Sequence, residues 1–391
     1  MVTLSLLLSC LAFGQSAYDE DTLRVKQRFA EDELAALAAP YFGISADGTL
    51  VSGLFPIGAT GVSTGPVREA AVKFLSSLTP QQLLRTQFSV DDPEWRRWSN
   101  VDNGIYVRQG VSLKEMSAVQ RHAAMDLMRA SLSARGLELS QDIMKTDQTL
   151  REINEDELSY DEELYFFTLM GIPSQTGPWG WQIDGHHLII NYFVLGDQVV
   201  MTPVFLGGEP VVARTGKYAG NAILQNEQNQ GLAFMNSLDA EQQASATLSS
   251  RKEGNNNQAA AGKDNIVLDY SGVPVAGFTP EQKAALLQLV ELFVGNMDDG
   301  HAAVKMEEVS AHLDETWFAW VGGVADDAVF YYRIHSPVVL IEFDHQLPVG
   351  TQKLNTPGEP TRDHIHVVVR TPNGNDYGKH LLRQHLEQHP H

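Results

Sequence analysis

The sequence predicts an α+β protein of two tandem pseudo-repeats, each with helices followed by an antiparallel β-meander. Three observations carry that expectation. The hydrophobic period changes from helical to strand-like at Glu163. Helical patterns return from Tyr218 to Leu238 and from Asp239 to Ser250, and strand patterns resume after them. Finally, at a constant offset of 151 residues, Phe166-Phe-Thr-Leu-Met-Gly171 lies over Trp317-Phe-Ala-Trp-Val-Gly322.

The same offset places Trp181-Gln-Ile183 over Tyr332-Arg-Ile334 and Leu188-Ile-Ile-Asn-Tyr192 over Val339-Leu-Ile-Glu-Phe343. Shifted offsets align Gln120-Arg-His-Ala123 with Gln282-Lys-Ala-Ala285, and Met201-Thr-Pro203 with Arg370-Thr-Pro372, as loop insertions would produce. The competing explanation is chance similarity between two amphipathic halves.

In chain order, the first seventeen residues read as a secretory signal. Met1 to Gly14 is too short an apolar run to span a bilayer, and Ala12 and Gly14 are small residues suited to cleavage. The basic flank of such signals is missing. Leu7-Leu-Ser-Cys10 also resembles a lipoprotein acylation box, so anchoring is the alternative to simple export to the periplasm or medium. Cys10 is the only cysteine; its loss leaves no disulfide, thiolate nucleophile or cysteine-type zinc site. No later segment is apolar for long enough to cross a membrane.

Asp21 to Pro40 and Val67 to Leu75 have helical spacing, and Thr79-Pro80 reads as an N-cap followed by proline at the first helical position. Ser112 to Arg135 is expected as a helix with a Ser112–Glu115 capping box and Gly136 as its stop, followed by a helix from Ser140 to Asn154. Leu164 to Met170 is a strand, Trp179 to Ile183 and His187 to Val194 form a hairpin about Asp184-Gly185, and Val199 to Phe205 follows. The expected organisation is a signal over 1–17, a first repeat over 18–250, a polar linker or exposed loop over 251–265, and a second repeat over 266–391.

Composition narrows the function. A formal charge of −21, from 49 acidic and 28 basic residues, argues against a nucleic-acid partner, because phosphate binding needs a concentrated basic surface. The sequence lacks a Walker loop, a His-Glu-x-x-His pair and a dinucleotide fingerprint.

The chemistry concentrates between Phe330 and Gly378. Strand alternation puts Val339, Ile341 and Phe343 on a core face and Leu340, Glu342 and Asp344 opposite them. His364 and His366 share a face of the next strand with Val368 and Arg370, and the hairpin histidine on the matching parity of the first half is His187. Imidazoles and carboxylates on adjacent strands suit a divalent transition metal (zinc, iron or manganese) that activates water or dioxygen.

The expected ligands are therefore His187, Glu342, His364 and His366, with Asp344 a general base or further ligand. Arg333 or Arg370 would orient a small anionic substrate by bidentate hydrogen bonds. Pairing with Glu342, Asp344 or Asp376 is the structural alternative for both arginines. Of the adjacent pair His186-His187, at most one residue is expected at the site unless the turn twists, because neighbours on a strand face opposite ways. His345 is expected to satisfy a backbone group, His335 to be structural, and the terminal His380, His385, His389 and His391 to give incidental metal affinity. Trp179, Trp181, Tyr331 and Tyr332 are expected to pack the sheet, with a glycan-stacking platform as the alternative.

Pro178-Trp-Gly-Trp-Gln-Ile-Asp-Gly-His-His187, Tyr331-Tyr-Arg-Ile-His335, Ile341-Glu-Phe-Asp-His345 and His364-Ile-His through Gly378 together carry a resemblance. On these motifs the chain resembles the domain of unknown function 3500 family, over nearly the whole mature chain. That family is found in bacteria and fungi, often behind secretion signals. The resemblance implies a single family unit and brings no activity, cofactor or catalytic residue. The residues lead to an exported protein with a metal-dependent hydrolase or oxidoreductase site. A non-catalytic small-molecule or glycan-binding protein, and a structural histidine–carboxylate network, are the other readings.

Overall fold

A computed structural model describes residues 20–156 and 158–389. The expected signal over 1–17, including Cys10, lies outside the described residues. Among those described, no helix is long and apolar enough to cross a membrane.

The chain begins with α1 (Glu20–Ala36), then a glycine-rich irregular stretch, α2 (Gly65–Ser77), α3 (Pro80–Thr86) and β1 (Gln87–Phe88). Thr79 caps α3 as expected: its hydroxyl accepts from the Gln82 N–H while Gln82 returns a carbonyl to the Thr79 N–H. After β2 (Val111–Ser112) come α4 (Ala118–Ser131) and α5 (Ala134–Asn154). These boundaries correct the expected helix. Ser112 and Glu115 do form reciprocal bonds, but they close a turn. Ser117 with Gln120 starts the helix, and Gly136 sits inside α5 because Asn296 leaves no room for a Cβ there.

Five strands follow: β3 (Phe166–Gly171), β4 (Pro178–Asp184), β5 (Leu188–Leu195), β6 (Gln198–Val200) and β7 (Val204–Gly208). Next come α6 (Gln225–Ser237), α7 (Ala240–Ala246), β8 (Thr247–Ser249) and β9 (Val273–Pro274). The last third holds α8 (Pro280–Val294), α9 (Asp299–Ala311), β10 (Trp317–Gly322), β11 (Phe330–His335), β12 (Leu340–His345), β13 (Ile365–Arg370) and α10 (Lys379–Gln388).

The strands form one sheet in the order β1-β3-β4-β5-β7-β13-β12-β11-β10-β8, with β2, β6 and β9 attached to β3, β5 and β10. The fold is thus α+β with a single multi-stranded sheet crossing both expected halves. The terminal strands β1 and β8 pair in parallel and have only two and three residues, which limits the open edge. The middle of the sheet is β5-β7-β13, joined antiparallel, and it brings distant sequence together: His366 lies opposite Gly207, and Leu188 opposite Leu206.

Alternation along β12 and β13 is as the sequence predicts. Val339, Ile341 and Phe343 join Ile365, Val367 and Val369 in the large core beneath the helices. Burying each such side chain is worth about 1.5–3 kcal/mol. The opposite face is also dry. Leu340, Val368, Ile189 and Phe205 pack there under Trp95, Trp98, Tyr377, Ala259 and α10, and every residue of β12 and β13 is buried. A covered second face explains how Glu342, Asp344 and Arg370 come to be buried on a central sheet.

Candidate metal centre

Three of the expected residues meet at one end of the central strands. His187, His364 and His366 each bring a ring nitrogen within 4.8 Å of the others. His364 and His366 lie two residues apart on the same parity, and their rings meet nearly perpendicular, with Nε2 to Nε2 at 2.9 Å. His187 arrives from the next strand but one. The intervening residue is Gly207, where a Cβ would sit 2.9 Å from the His187 ring and 3.1 Å from the His366 ring. Glycine at 207 is what leaves space for the two imidazoles to converge.

Second groups orient these rings. The His364 Nδ1–H donates to the Leu347 carbonyl at 2.7 Å, which leaves Nε2 as the lone-pair nitrogen. Glu209 Oε2 lies 3.6 Å from the same Nδ1, its carboxylate held by the N–H groups of Val349, Gly350 and Thr351 and by the Thr351 hydroxyl. Asp147 Oδ1 lies 3.5 Å from His187 Nδ1, so the other side of the His187 ring faces Gly207 and His366. A carboxylate or carbonyl behind the imidazole, as at His187 and His364, is the usual support for a metal-bound histidine.

Burial holds the three rings neutral. The pKa of His187 is pushed down to about 4, by burial first and His186 second. Burial likewise depresses His364, against the pull of Glu209, and lowers His366 well below its ordinary value with His364 and His187 adding to the effect. Neutral imidazole is the form that ligates a metal. Burial opposes ionisation of Asp147, yet His186 and His187 outweigh it and hold that carboxyl below its usual range.

His186 also belongs to this region, which corrects the expectation that only one of the pair would. Residues 185–187 form a bend ahead of β5, where strand alternation does not apply, and the two rings lie 3.7 Å apart. Asp147 Oδ1 is 2.9 Å from His186 Nδ1, and Asp102 Oδ1 is 3.1 Å from its Nε2. Asp102 in turn pairs with Lys26 of α1. Asp147, His186 and His187 form a second group with ligand atoms within 4.8 Å of one another. Asp147 Oδ2 also accepts from the Tyr165 hydroxyl at 2.6 Å, so this carboxylate is tied into the protein on both oxygens.

The histidines floor a cleft of about 720 Å³. Its walls include Lys26, Phe29 and Glu33 of α1, Tyr160, Asn255, Asn257 and Gln346.

Asp344 lies directly across from His366 in the β12–β13 pair, but its carboxylate and that of Glu342 are bound by other groups. Glu342 accepts from the N–H groups of Gln258 and Ala259 and from the Tyr331 hydroxyl. Asp344 accepts from the N–H groups of Asn256 and Asn257, from Gln346 Nε2, and pairs with Lys252 Nζ at 2.9 Å. Burial raises both carboxyl pKa values, opposed at Glu342 first by Tyr331 and at Asp344 first by Lys252. The 251–265 segment is therefore a strap pinned across the sheet by carboxylates beneath it, with Ala259, Ala261 and Asp264 buried.

Arg370 is fully buried and saturated by the Ala259 and Ala260 carbonyls, Asp264 and Asp376, with its guanidinium 5.2 Å from the Trp98 ring. Arg333 is buried opposite Glu342 and donates to the Asp269 carbonyl. Neither arginine lines the cleft. Trp179, Trp181, Tyr331 and Tyr332 are buried in the sheet, which leaves no stacking platform from them. His345 accepts from the Phe330 N–H, as expected of a structural histidine.

Sequence reasoning missed Asp147, Asp102, Glu209 and Gly207. None carries a local signature, since each is defined by what another segment places beside it. The His186-His187 doublet at a hairpin turn was the one signal that could have led to Asp147.

No curated protein matches this chain, and no solved structure does either. A family model described as a protein of unknown function (DUF3500) matches residues 60–379, a span that contains all three clustered histidines and the strap. The chain belongs to the DUF3500 family.

Proposed function

We propose that His187, His364 and His366 hold one divalent transition metal at the floor of the cleft, and that the protein is a metal-dependent hydrolase. The observation that carries this reading is the 2.9 Å approach of the His364 and His366 Nε2 atoms while the His364 Nδ1–H is committed to Leu347. Three neutral nitrogen donors favour zinc or iron over manganese, which prefers oxygen ligands. Three-histidine sites with an open position are a catalytic arrangement for zinc. A cation bound there would act as a Lewis acid and lower the pKa of a coordinated water. Asp147, Leu347 and Glu209 orient the rings, and the cleft admits substrate to the open side.

Metal content of the untagged protein tests the reading, with His380, His385, His389 and His391 replaced to remove terminal affinity. About one metal per chain is expected, lost in the His364→Ala, His366→Ala double variant. Less than about 0.1 per chain after reconstitution would overturn it.

We also infer that the two halves descend from one duplicated unit. Supporting this, β3-β4-β5 and β10-β11-β12 run inward from opposite sides of the sheet, and each outer strand pairs in parallel with a short strand that follows a short helix. Capping boxes at Thr79–Gln82 and Asp239–Gln242 begin those helices. A crystallographic superposition that fails to place Trp181 on Tyr332 would refute duplication. Export, from the apolar segment over 1–17, is tested by whether the N-terminus of secreted protein begins after that segment.

A further inference from the structure

The Asn255-Asn256-Asn257 run looks like low-complexity linker in the sequence, yet it lies on the strap and both Asn255 and Asn257 face the cleft. Each of these side chains is fixed by the residue next to His364 in space. Leu347 donates its N–H to Asn255 Oδ1 at 2.9 Å, and the Leu347 carbonyl is the acceptor for His364 Nδ1. Gln346 donates its backbone N–H to the His364 carbonyl at 2.8 Å and its side-chain Nε2 to Asn257 Oδ1 at 3.0 Å.

This network also decides which way the amides point. A backbone N–H only donates, so the Asn255 atom facing Leu347 is oxygen. Gln346 Nε2 sits 2.5 Å from the Asp344 carboxylate, which only accepts, so the Asn257 atom bonded to it is oxygen as well. Both carboxamide oxygens are consumed by the protein, and the two NH2 groups have no protein acceptor among the described residues. Meanwhile the Asn256 and Asn257 N–H groups are anchored on Asp344, so the strap presents these donors from a rigid backbone. Pre-oriented donors of this kind serve an oxygen on which negative charge develops.

The charge of the cleft selects among oxygen-bearing ligands. Five carboxylates line it against two lysines, and one of these, Lys26, is paired with Asp102. A phosphate-type dianion would meet repulsion with no uncommitted guanidinium to offset it, since Arg333 and Arg370 lie elsewhere.

We propose that Asn255 and Asn257 are the substrate-binding half of the site, donating N–H bonds to the oxygen of a neutral carbonyl compound, an ester or amide, presented to the metal. This rests on the metal reading above. It changes the expected ligand from a small anion to a neutral acyl compound.

Cobalt(II)-loaded protein, followed through its visible spectrum, gives the test. Acetohydroxamate, a small carbonyl ligand for metals, is titrated against inorganic phosphate. Acetohydroxamate should bind more tightly than phosphate. Two double variants are compared. Asn255→Asp with Asn257→Asp keeps the oxygen acceptors for Leu347 and Gln346 and removes the donors. Asn255→Ala with Asn257→Ala removes the side-chain amides without adding charge. In both, acetohydroxamate affinity should fall at least about tenfold while cobalt content and the spectrum of the unliganded protein stay unchanged. Unchanged acetohydroxamate affinity in both variants, or tighter binding of phosphate, overturns the subsite and leaves the metal centre standing. Failure to take up cobalt overturns the metal centre and this subsite with it.

Discussion

The Nε2 atoms of His364, just before β13, and His366, within it, face each other at 2.9 Å in the cleft lining. Because Leu347 fixes the proton of His364 on Nδ1, a single proton on His366 is what joins the two nitrogens when no cation is present. Ligand bonds of about 2.0–2.1 Å at angles of roughly 90–110° would hold two imidazole nitrogens about 2.9–3.4 Å apart. The pair is therefore spaced for a shared cation with little rearrangement.

Replacing both His364 and His366 by Ala should abolish stoichiometric metal binding and the stabilisation that metal confers. At a free metal concentration a hundred times Kd, that stabilisation is about 2.7 kcal/mol. Thermal denaturation with and without added zinc measures it. A metal-dependent shift in melting temperature retained by the double variant would place the metal elsewhere.

Gly207→Ala should act on the site without touching a ligand. The added methyl would fall 2.9 Å from the His187 ring, 2.9 Å from the Ile365 carbonyl oxygen and 3.1 Å from the His366 ring, so the rings and the β7–β13 pairing must give way. Overpacking of this kind costs roughly 1–3 kcal/mol, and metal affinity should drop with it. Isothermal titration with zinc checks the second effect; wild-type affinity in this variant would show that the rings do not need the space.

Asp147→Asn keeps the shape of the group behind His187 and removes its charge. Loss of an orienting carboxylate typically weakens a metal site 10- to 100-fold, and an effect of about that size is expected here. Competition with a chromophoric chelator reads the affinity. No change would argue that the 3.5 Å contact between Asp147 and His187 does no orienting.

Glu342→Ala separates the strap from the metal. The variant leaves the Gln258 and Ala259 N–H groups without their acceptor, which should destabilise the protein by roughly 2–5 kcal/mol. Amide hydrogen exchange at those two positions should speed up, while metal content stays at the wild-type level. Loss of metal in a still-folded variant would return Glu342 to the ligand set expected from sequence.

His335 should make stability fall in acid. Burial, and then the Arg333 charge, push its pKa from 6.5 to about 3, against a smaller upward pull from the Asp269 backbone. Above pH 6.5 both the folded and unfolded states carry it neutral and its contribution is fully present. As pH falls from 6.5 towards 3, the unfolded chain takes a proton that the folded one refuses. Stability is then lost at up to about 1.4 kcal/mol per pH unit. Denaturant titrations of His335→Leu should show a shallower acid limb than wild type; parallel limbs would assign the loss to other groups.

Sequence by itself determined the α+β class, the strands of the second half, and the parity that puts Glu342, Asp344, His364 and His366 on one sheet face. A strand's side chains alternate whatever lies around it, so that much is local. It also marked the His-x-His pair and the family. What it could not decide was which of those residues meet. Only the tertiary pairing inserts β7 between β5 and β13 and sets Gly207 where His187 and His366 converge. Only the strap decides that Glu342 and Asp344 bind backbone N–H groups, leaving the three histidines to one another. Every residue but proline carries such a donor, so no pattern of side chains announces where a backbone will lie down and claim a carboxylate.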